Sequence, residues 1–155
     1  ITSVVVSGRV GAAISSEIAT MKVSEQLDAI ESLSLDPVKI LIAPRVLATT
    51  IMLPVLVCIA DLVGFFSGLV IAQYVGHISH FAYFNSAQLM LNYYDIVGGL
   101  IKAVVFGFVL SLISCFFGYN SSSGAKGVGY ATTKAVVFSL VSIFILNYFL
   151  TVLLF

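Results

Sequence analysis

Four charged side chains interrupt long apolar stretches of this sequence, and they are the residues whose types could do chemistry. They are Arg9, Glu17, Asp61 and Lys102. A charge at the centre of a membrane helix costs at least about 2.5 kcal/mol, so each should face protein, water or lipid headgroups. Because Asp61 and Lys102 are expected at a similar depth, they can form a structural ion pair. The alternative is that a charge of this set lines a cavity and has a functional role.

Motifs for covalent or metal chemistry are not found. Neither G-x-S-x-G nor H-E-x-x-H occurs, and no nucleophile–base pair can be assigned. The pair His77 and His80 has no Cys or carboxylate nearby, so solvated loop histidines are a simpler reading than a metal site. Cys58 and Cys115 lie in apolar runs and predict neither a disulfide framework nor a metal site. We therefore expect no catalytic residue, no cofactor and no bound metal.

The composition indicates a membrane protein. Of the 155 residues, 60% are hydrophobic and only 9% are charged, whereas a typical soluble domain is about 25% charged. This excludes an ordinary soluble enzyme and a disordered chain. Seven basic and seven acidic residues cancel, so no nucleic-acid partner is expected. The chain starts at Ile1 within an apolar stretch, and we interpret it as a fragment that lacks its N-terminal part.

The elements that position these residues are predicted from charge-free runs, each long enough for the roughly 20 residues of a membrane-spanning helix. The predicted fold is all-α, a polytopic transmembrane helix bundle that forms one domain over residues 1–155. Four membrane helices are predicted, at residues 1–21, 46–75, 96–119 and 134–155. The second is long enough to require tilt, a kink or protrusion, and Pro54 is the natural kink.

The Lys and Arg residues predict the orientation. The first connector and its edges hold Lys22, Lys39 and Arg45, and the third connector holds Lys126 and Lys134. The second connector, an outer loop at residues 76–95, has neither Lys nor Arg. The first and third connectors are therefore expected in the cytoplasm, and the second on the outer side. Aromatic residues of the outer loop suit the membrane interface or contact with an outer partner.

The first connector predicts a short amphipathic helix at residues 24–33, with Ser24 as N-cap and Asp36-Pro37 as its end. One face is apolar and consists of Leu27, Ile30 and Leu33. Another face is acidic and consists of Glu25, Asp28 and Glu31. Two readings stay open: a solvated turn, or a coupling helix that inserts into a groove of a soluble motor.

Several segments of the sequence closely resemble the MlaE family, the permease subunits of ABC transporters that work with MCE proteins. The longest is GRVGAAISSEIATMKVSEQLDAIE at residues 8–31. The others are residues 36–37, PRVLA at 44–48, GLIKAVVFG at 99–107, ATTKAVV at 131–137 and NYFLTVLLF at 147–155. Ser34 departs from the family pattern, which usually has glycine there, and should stiffen the end of the connector helix.

The resemblance implies a permease that moves phospholipid or a related lipid between the inner membrane and an MCE-protein conduit. It implies three protein partners: a separate ABC ATPase on the cytoplasmic face, an MCE-domain protein on the outer face and a second permease copy in a homodimer. It favours the bacterial inner membrane over the chloroplast inner envelope. The residues expected to contact the ATPase are Glu25, Leu27, Asp28, Ile30, Glu31 and Leu33. The lipid-pathway candidates are Arg9, Glu17 and Lys102, of which Arg9 or Lys102 is expected to meet a lipid phosphate.

Two other functional classes agree less well with the sequence. A passive membrane scaffold that only anchors an outer lipid-binding partner has no need of an acidic amphipathic connector. An intramembrane enzyme needs a catalytic constellation that the sequence lacks. Small residues at four-residue spacing, such as Gly11, Ser15 and Ala19, indicate close helix packing, either within one subunit or at a subunit interface.

Overall fold

The computed structural model describes residues 1–76, 79–90 and 93–154. These residues form helices and short connectors, and no strand occurs among them. The prediction of an all-α fold is confirmed. The helices are α1 (Thr2–Val6, a π-helical turn Ser7–Gly11 and Ala12–Val23), α2 (Gln26–Ser32), α3 (Ala43–Tyr74, preceded by a π-helical turn Val38–Ile42), α4 (His80–Met90), α5 (Tyr93–Tyr119) and α6 (Ala125–Leu154).

Three helices of the described chain are long and apolar enough to cross a membrane. They are Val38–Tyr74, Tyr93–Tyr119 and Ala125–Leu153. The predicted first span is helical but is not one of these three, so its crossing of a membrane stays a prediction. The physical reason is its polarity, because α1 carries Arg9, Glu17 and Lys22 as well as several serines.

Helix α5 is the central element, since α1, α3 and α6 all pack against it. Two of its glycines allow the neighbouring backbones to come close. A Cβ atom on Gly107 would lie 3.0 Å from the Thr49 carbonyl oxygen of α3, and one on Gly118 would lie 2.8 Å from the Ser15 carbonyl oxygen of α1. In a bilayer, where lipid tails are as apolar as leucine, such close contact is what holds helices together.

The interface of α1 with α5 is lined by small polar residues. Ser7, Ser15, Ser111 and Ser114 are fully buried. The hydroxyls of Ser7 and Ser111 donate to carbonyl oxygens of their own helices, at 2.7 and 2.9 Å. Those of Ser15 and Ser114 have no hydrogen-bond partner among the described residues. The small-residue stripe of Gly11, Ser15 and Ala19 is therefore used for packing within one subunit.

The apolar core is small. One buried cluster consists of Ile14, Ile18, Val46 and Cys115, and another of Phe106, Leu110 and Ile143. Most large apolar side chains of α3 and α6 are exposed instead. An apolar surface of this extent suits contact with lipid or with another chain rather than with water.

Several predicted bounds differ from the structure. Helix α6 begins at Ala125 and not at residue 134, because Gly124, with a φ of +90°, ends the preceding turn and lets the helix start directly after it. The predicted helix at 46–75 begins at Ala43, after the π-helical turn, and continues through Pro54.

The outer loop predicted at residues 76–95 contains a helix, α4. The reason is tertiary packing: the Tyr83 ring lies 5.5 Å from that of Phe65, and the Tyr83 hydroxyl donates to the Phe65 carbonyl oxygen at 3.1 Å. These contacts dock α4 on the end of α3.

Candidate functional site

The candidate site is the connector between α1 and α3, with α2 at its centre. Helix α2 has seven residues and is shorter than the predicted 24–33, because residues in left-handed conformation lie on both sides of it. Glu25 has a φ of 59° and Ser34 a φ of 60°. A left-handed residue cannot continue a helix. The chain therefore turns sharply before α2 and again after it.

The predicted N-cap of α2 is wrong, and α2 ends at Ser32, before the predicted stop at Asp36-Pro37. The Ser24 hydroxyl does not cap α2 but donates to the Thr20 carbonyl oxygen at 2.9 Å, which satisfies the end of α1. The Asp36 carboxylate accepts from the Val38 N–H at 3.2 Å and so stabilises the start of the next helical segment. Serine and aspartate bond to whichever backbone groups are nearest, and a turn this short places both beside the neighbouring helices.

The predicted apolar face of α2 is divided between two environments. Leu27 is only 4% exposed and packs inside the chain, whereas Leu33 is 70% exposed. Ile30 is half-buried. Leu33 differs from the prediction because α2 ends at Ser32, so residue 33 no longer follows the helical spacing. One leucine thus anchors α2, and the other remains available to a partner.

The end of α1 and helix α2 are both fastened to the end of α5. The Lys22 ammonium donates to the Tyr119 carbonyl oxygen at 2.7 Å, and a cation at the C-terminus of a helix stabilises its dipole. The Tyr119 hydroxyl donates to Glu31 of α2 at 3.4 Å. Glu31, one of the predicted ATPase-contact residues, therefore has an internal contact. Glu25 and Asp28 are exposed.

An ion pair joins the ends of α1 and α3. The Arg45 guanidinium lies 2.9 Å from the Glu17 carboxylate, and the Arg45 side chain is 24% exposed. Glu17 was a candidate for the lipid pathway, but its described contact is this pair. Since Glu17 lies near the end of α1, the pair is close to the connector rather than at the centre of the bundle.

The other charges predicted at membrane depth lie apart. Arg9 is exposed in the π-helical turn of α1, and Asp61 is exposed on α3. The Lys102 ammonium donates to the Thr151 hydroxyl at 3.0 Å. The ion pairs of the described residues are Lys39–Asp36 and Arg45–Glu17, so the expected pair of Asp61 with Lys102 is not found among them.

An apolar groove of about 190 Å³ lies between α1 and α3. Its walls include Val6 and Val10, which lie on either side of Arg9 in the chain, and Met52, Leu53 and Leu56 of α3. Such a groove can take a hydrocarbon chain. A cationic residue on the same turn of α1 as Val10 could then meet the headgroup.

The prediction for the two histidines of the outer loop falls outside what the structure describes. His77 lies outside the described residues, and His80 begins α4 with a side chain that is not described. Within the described ranges, no group of three His, Cys, Asp or Glu side chains is arranged to hold a metal ion.

Comparison with known proteins identifies the family. The Permease MlaE family matches residues 1–153, which is nearly the whole chain. The chain belongs to the MlaE permease family. A probable ABC transporter permease protein of Rickettsia typhi is 50% identical over all 155 residues of the chain, which span 60% of that relative.

Two further relatives of this MlaE chain come from photosynthetic organisms. A probable ABC transporter permease protein of Synechocystis is 45% identical over the whole chain, which covers 59% of that protein. The chloroplast protein TRIGALACTOSYLDIACYLGLYCEROL 1 of Arabidopsis thaliana is 46% identical over 151 residues, or 97% of this chain and 43% of its own length. The chain therefore spans about 60% or less of these relatives.

Sequence reasoning missed three residues of this site in the MlaE chain. Lys22 joins α1 to α5, Arg45 joins α3 to α1, and Tyr119 joins α5 to α2. Their partners are far away in the sequence; Lys22 and Tyr119 are 97 residues apart. The signal that could have found Lys22 and Arg45 is their position at helix ends, where a cation meets a carbonyl or a carboxylate. Tyr119, at the end of a span, gives no comparable signal.

Proposed function

We propose that this chain is the membrane-spanning part of an ABC-type permease that moves lipid, and that α2 transmits movement from a separate ATPase subunit. The single observation that carries the proposal is the placement of α2. It is a short exposed helix with an acidic side, it is anchored on its own chain, and it stands between two long helices of a member of the MlaE permease family.

The anchoring supports a coupling role because movement of α2 must be passed on. Leu27 is buried against the chain, Lys22 bonds the end of α5, and Glu31 accepts from the Tyr119 hydroxyl. A displacement of α2 would therefore be felt by α1 and α5 together. A helix in a loose, solvated turn would need none of these contacts.

The exposed part of α2 supports contact with a protein groove. At 1.5 Å per residue its seven residues are about 10 Å long. Leu33 and the half-buried Ile30 supply apolar anchors, and Glu25 and Asp28 supply charges beside them. We place the ATPase at this surface, on the cytoplasmic side of a multi-pass protein of the bacterial inner membrane.

The lipid pathway is proposed along α1. Arg9 is the charge best placed to meet a lipid phosphate, since no carboxylate pairs with it among the described residues and the apolar groove between α1 and α3 lies beside it. Lys102 is a weaker candidate for this contact, because its ammonium bonds the Thr151 hydroxyl. Glu17 is an anion that pairs with Arg45, so it can line the pathway but would not bind the phosphate.

The MCE-domain protein and the second permease copy are each assigned to an exposed apolar surface of the chain. The MCE-domain protein is proposed to dock at the α4 end, where Phe81 is 82% exposed and Phe84 is 48% exposed. The second permease copy is proposed against the exposed apolar surface of the bundle. The cargo is proposed to be a phospholipid or a related lipid.

The experiment replaces Leu33 with aspartate in the complete transporter. Burial of a carboxylate in an apolar groove should weaken ATPase binding by about 2 kcal/mol or more, as loss of an interface anchor does. Ser32→Asp is the matched control, because it adds the same charge to a neighbouring exposed position. The measurements are recovery of the ATPase subunit with the purified permease and the rate of lipid transfer.

ATPase recovery and lipid transfer in Leu33→Asp as high as in the unaltered permease would refute the coupling role of α2. If the unaltered permease co-purifies with the MCE protein but with no ATPase, the passive scaffold is the better description.

A further inference from the structure

A cavity of about 340 Å³ lies under the turn that joins α5 to α6, away from the site described above. Ser121 is one of its lining residues and is only 5% exposed. The Ser121 hydroxyl oxygen has no hydrogen-bond partner among the described residues. Burying a hydroxyl that makes no hydrogen bond is energetically unfavourable, so a ligand with a polar atom in this cavity would be stabilised by bonding to it.

The charges around the cavity are positive. Lys134 lines it, and its ammonium lies 4.6 Å from the centre of the Tyr130 ring. Lys126 lines an adjoining cavity of about 610 Å³, which shares Ser122, Gly127 and Tyr130 with the first. No Asp or Glu is among the described lining residues of either cavity. The surroundings therefore favour an anion.

The start of α6 adds hydrogen-bond donors. The first N–H groups of a helix have no partner within it, and they attract negative charge. The turn lies tightly on this end, because a side chain on Gly127 would collide with the carbonyl group of Ser122. Ser121 and Lys134 thus line this cavity, and Lys126, in the first turn of α6, lines the adjoining one.

The cavity also has an apolar continuation. Phe116 and Phe117 line it and also line a groove of about 470 Å³ between α5 and α6. Leu112, Ile113 and Phe138 form the rest of this groove together with Ser142. A cavity that has a lysine and a hydroxyl, and that shares two lining residues with an apolar groove, suits a molecule with a charged head and a hydrocarbon tail.

We propose that this cavity binds the phosphate group of a phospholipid, with an acyl chain of the same molecule in the groove between α5 and α6. The site is separate from the groove between α1 and α3, and it does not depend on the coupling role of α2. It holds a lipid at the end of the bundle that carries the basic connectors.

The test measures binding of dihexanoyl-phosphatidylglycerol to the complete permease, purified in a non-ionic detergent, by native mass spectrometry. Lys134→Gln should weaken binding about tenfold, the effect of losing one charge-assisted hydrogen bond. Lys39→Gln is the matched control, because it removes a lysine charge from the other basic connector. It should leave binding unchanged.

Ser121→Ala gives a second variant in case Lys134→Gln does not fold. Loss of an unpartnered hydroxyl should not lower the melting temperature of the lipid-free protein, yet it should weaken lipid binding several-fold. Unchanged binding in Ser121→Ala, or in a folded Lys134→Gln, overturns the proposal.

Two further probes separate the parts of the ligand. Dihexanoylglycerol, which has the chains without the phosphate, should bind at least tenfold more weakly than the phospholipid; equal binding overturns the role of phosphate. Inorganic phosphate should also bind at least tenfold more weakly. If it binds as tightly as the phospholipid, the site is a free-phosphate site and the lipid assignment is overturned.

Discussion

The close approach of α1 to α5 at Gly118 makes a sharp prediction for Gly118→Ala. The new methyl group would lie 2.8 Å from the Ser15 carbonyl oxygen and 2.9 Å from the Ile18 Cβ atom. Ordinary van der Waals contact begins at 3.4 Å, so the two helices would have to separate by about half an ångström. Insertion of a methyl group into a packed interface costs about 1–3 kcal/mol.

Gly64→Ala is the matched control. Gly64 lies inside α3, and a Cβ atom there would meet nothing within 4 Å. The gain in helix propensity on replacing glycine with alanine, up to about 1 kcal/mol in a helix interior, is larger at Gly64 than at Gly118, which is one residue from the end of α5. The difference in free energy of unfolding between the variants should therefore be at least the packing cost, about 1–3 kcal/mol, with Gly118→Ala the less stable.

The assay is equilibrium unfolding of the purified permease in mixed micelles of mild detergent and sodium dodecyl sulfate, followed by circular dichroism. The midpoint should fall for Gly118→Ala and stay equal or rise for Gly64→Ala. If both variants unfold at the same midpoint, the bundle does not depend on close contact at Gly118, and the packing described for α1 and α5 is wrong.

Two further predictions concern the connector. Ser34→Gly should stabilise the permease by about 1 kcal/mol, because Ser34 has a φ of 60° and a left-handed conformation strains every residue except glycine; a thermal melt checks this, and a lower melting temperature would contradict it. Glu17→Gln and Arg45→Gln should each destabilise the protein, and a double-mutant cycle should give a coupling energy of about 0.5–1 kcal/mol, since the pair is partly exposed; a coupling energy of zero would show that the pair contributes nothing.

The helical fold could be predicted from the sequence because the length and polarity of an apolar run are local properties. The residues at which the helices begin and end were harder to predict. Gly124 gives α6 an earlier start than the charges at Lys126 and Lys134 suggested. Helix α4 is positioned by the contact of Tyr83 with Phe65. A contact between two helices cannot be predicted from the periodicity of apolar residues within either one.

The candidate site was predictable in part. The position of a short helix in the first connector follows from the spacing of its apolar residues. The residues at which this helix begins and ends cannot be predicted in the same way. Glu25 and Ser34 take left-handed conformations, and no pattern in the sequence indicates them. The partners of Lys22 and Glu17 are supplied by the three-dimensional packing of α5 and α3 around α1.

The polar attachments of α1 have a consequence for how the bundle can move. Within the described chain, its side-chain links to α3 and α5 are Glu17 with Arg45 and Lys22 with the Tyr119 carbonyl, both near the connector. Farther from the connector, the buried hydroxyls of Ser7 and Ser111 donate to carbonyl oxygens of their own helices. Beyond the connector, α1 is held by packing, as where Val4 and Val6 lie against the cluster of Phe106, Leu110 and Ile143. A tilt of α1 about its tethered end would therefore have to break packing contacts, but no hydrogen bond between helices of the described chain.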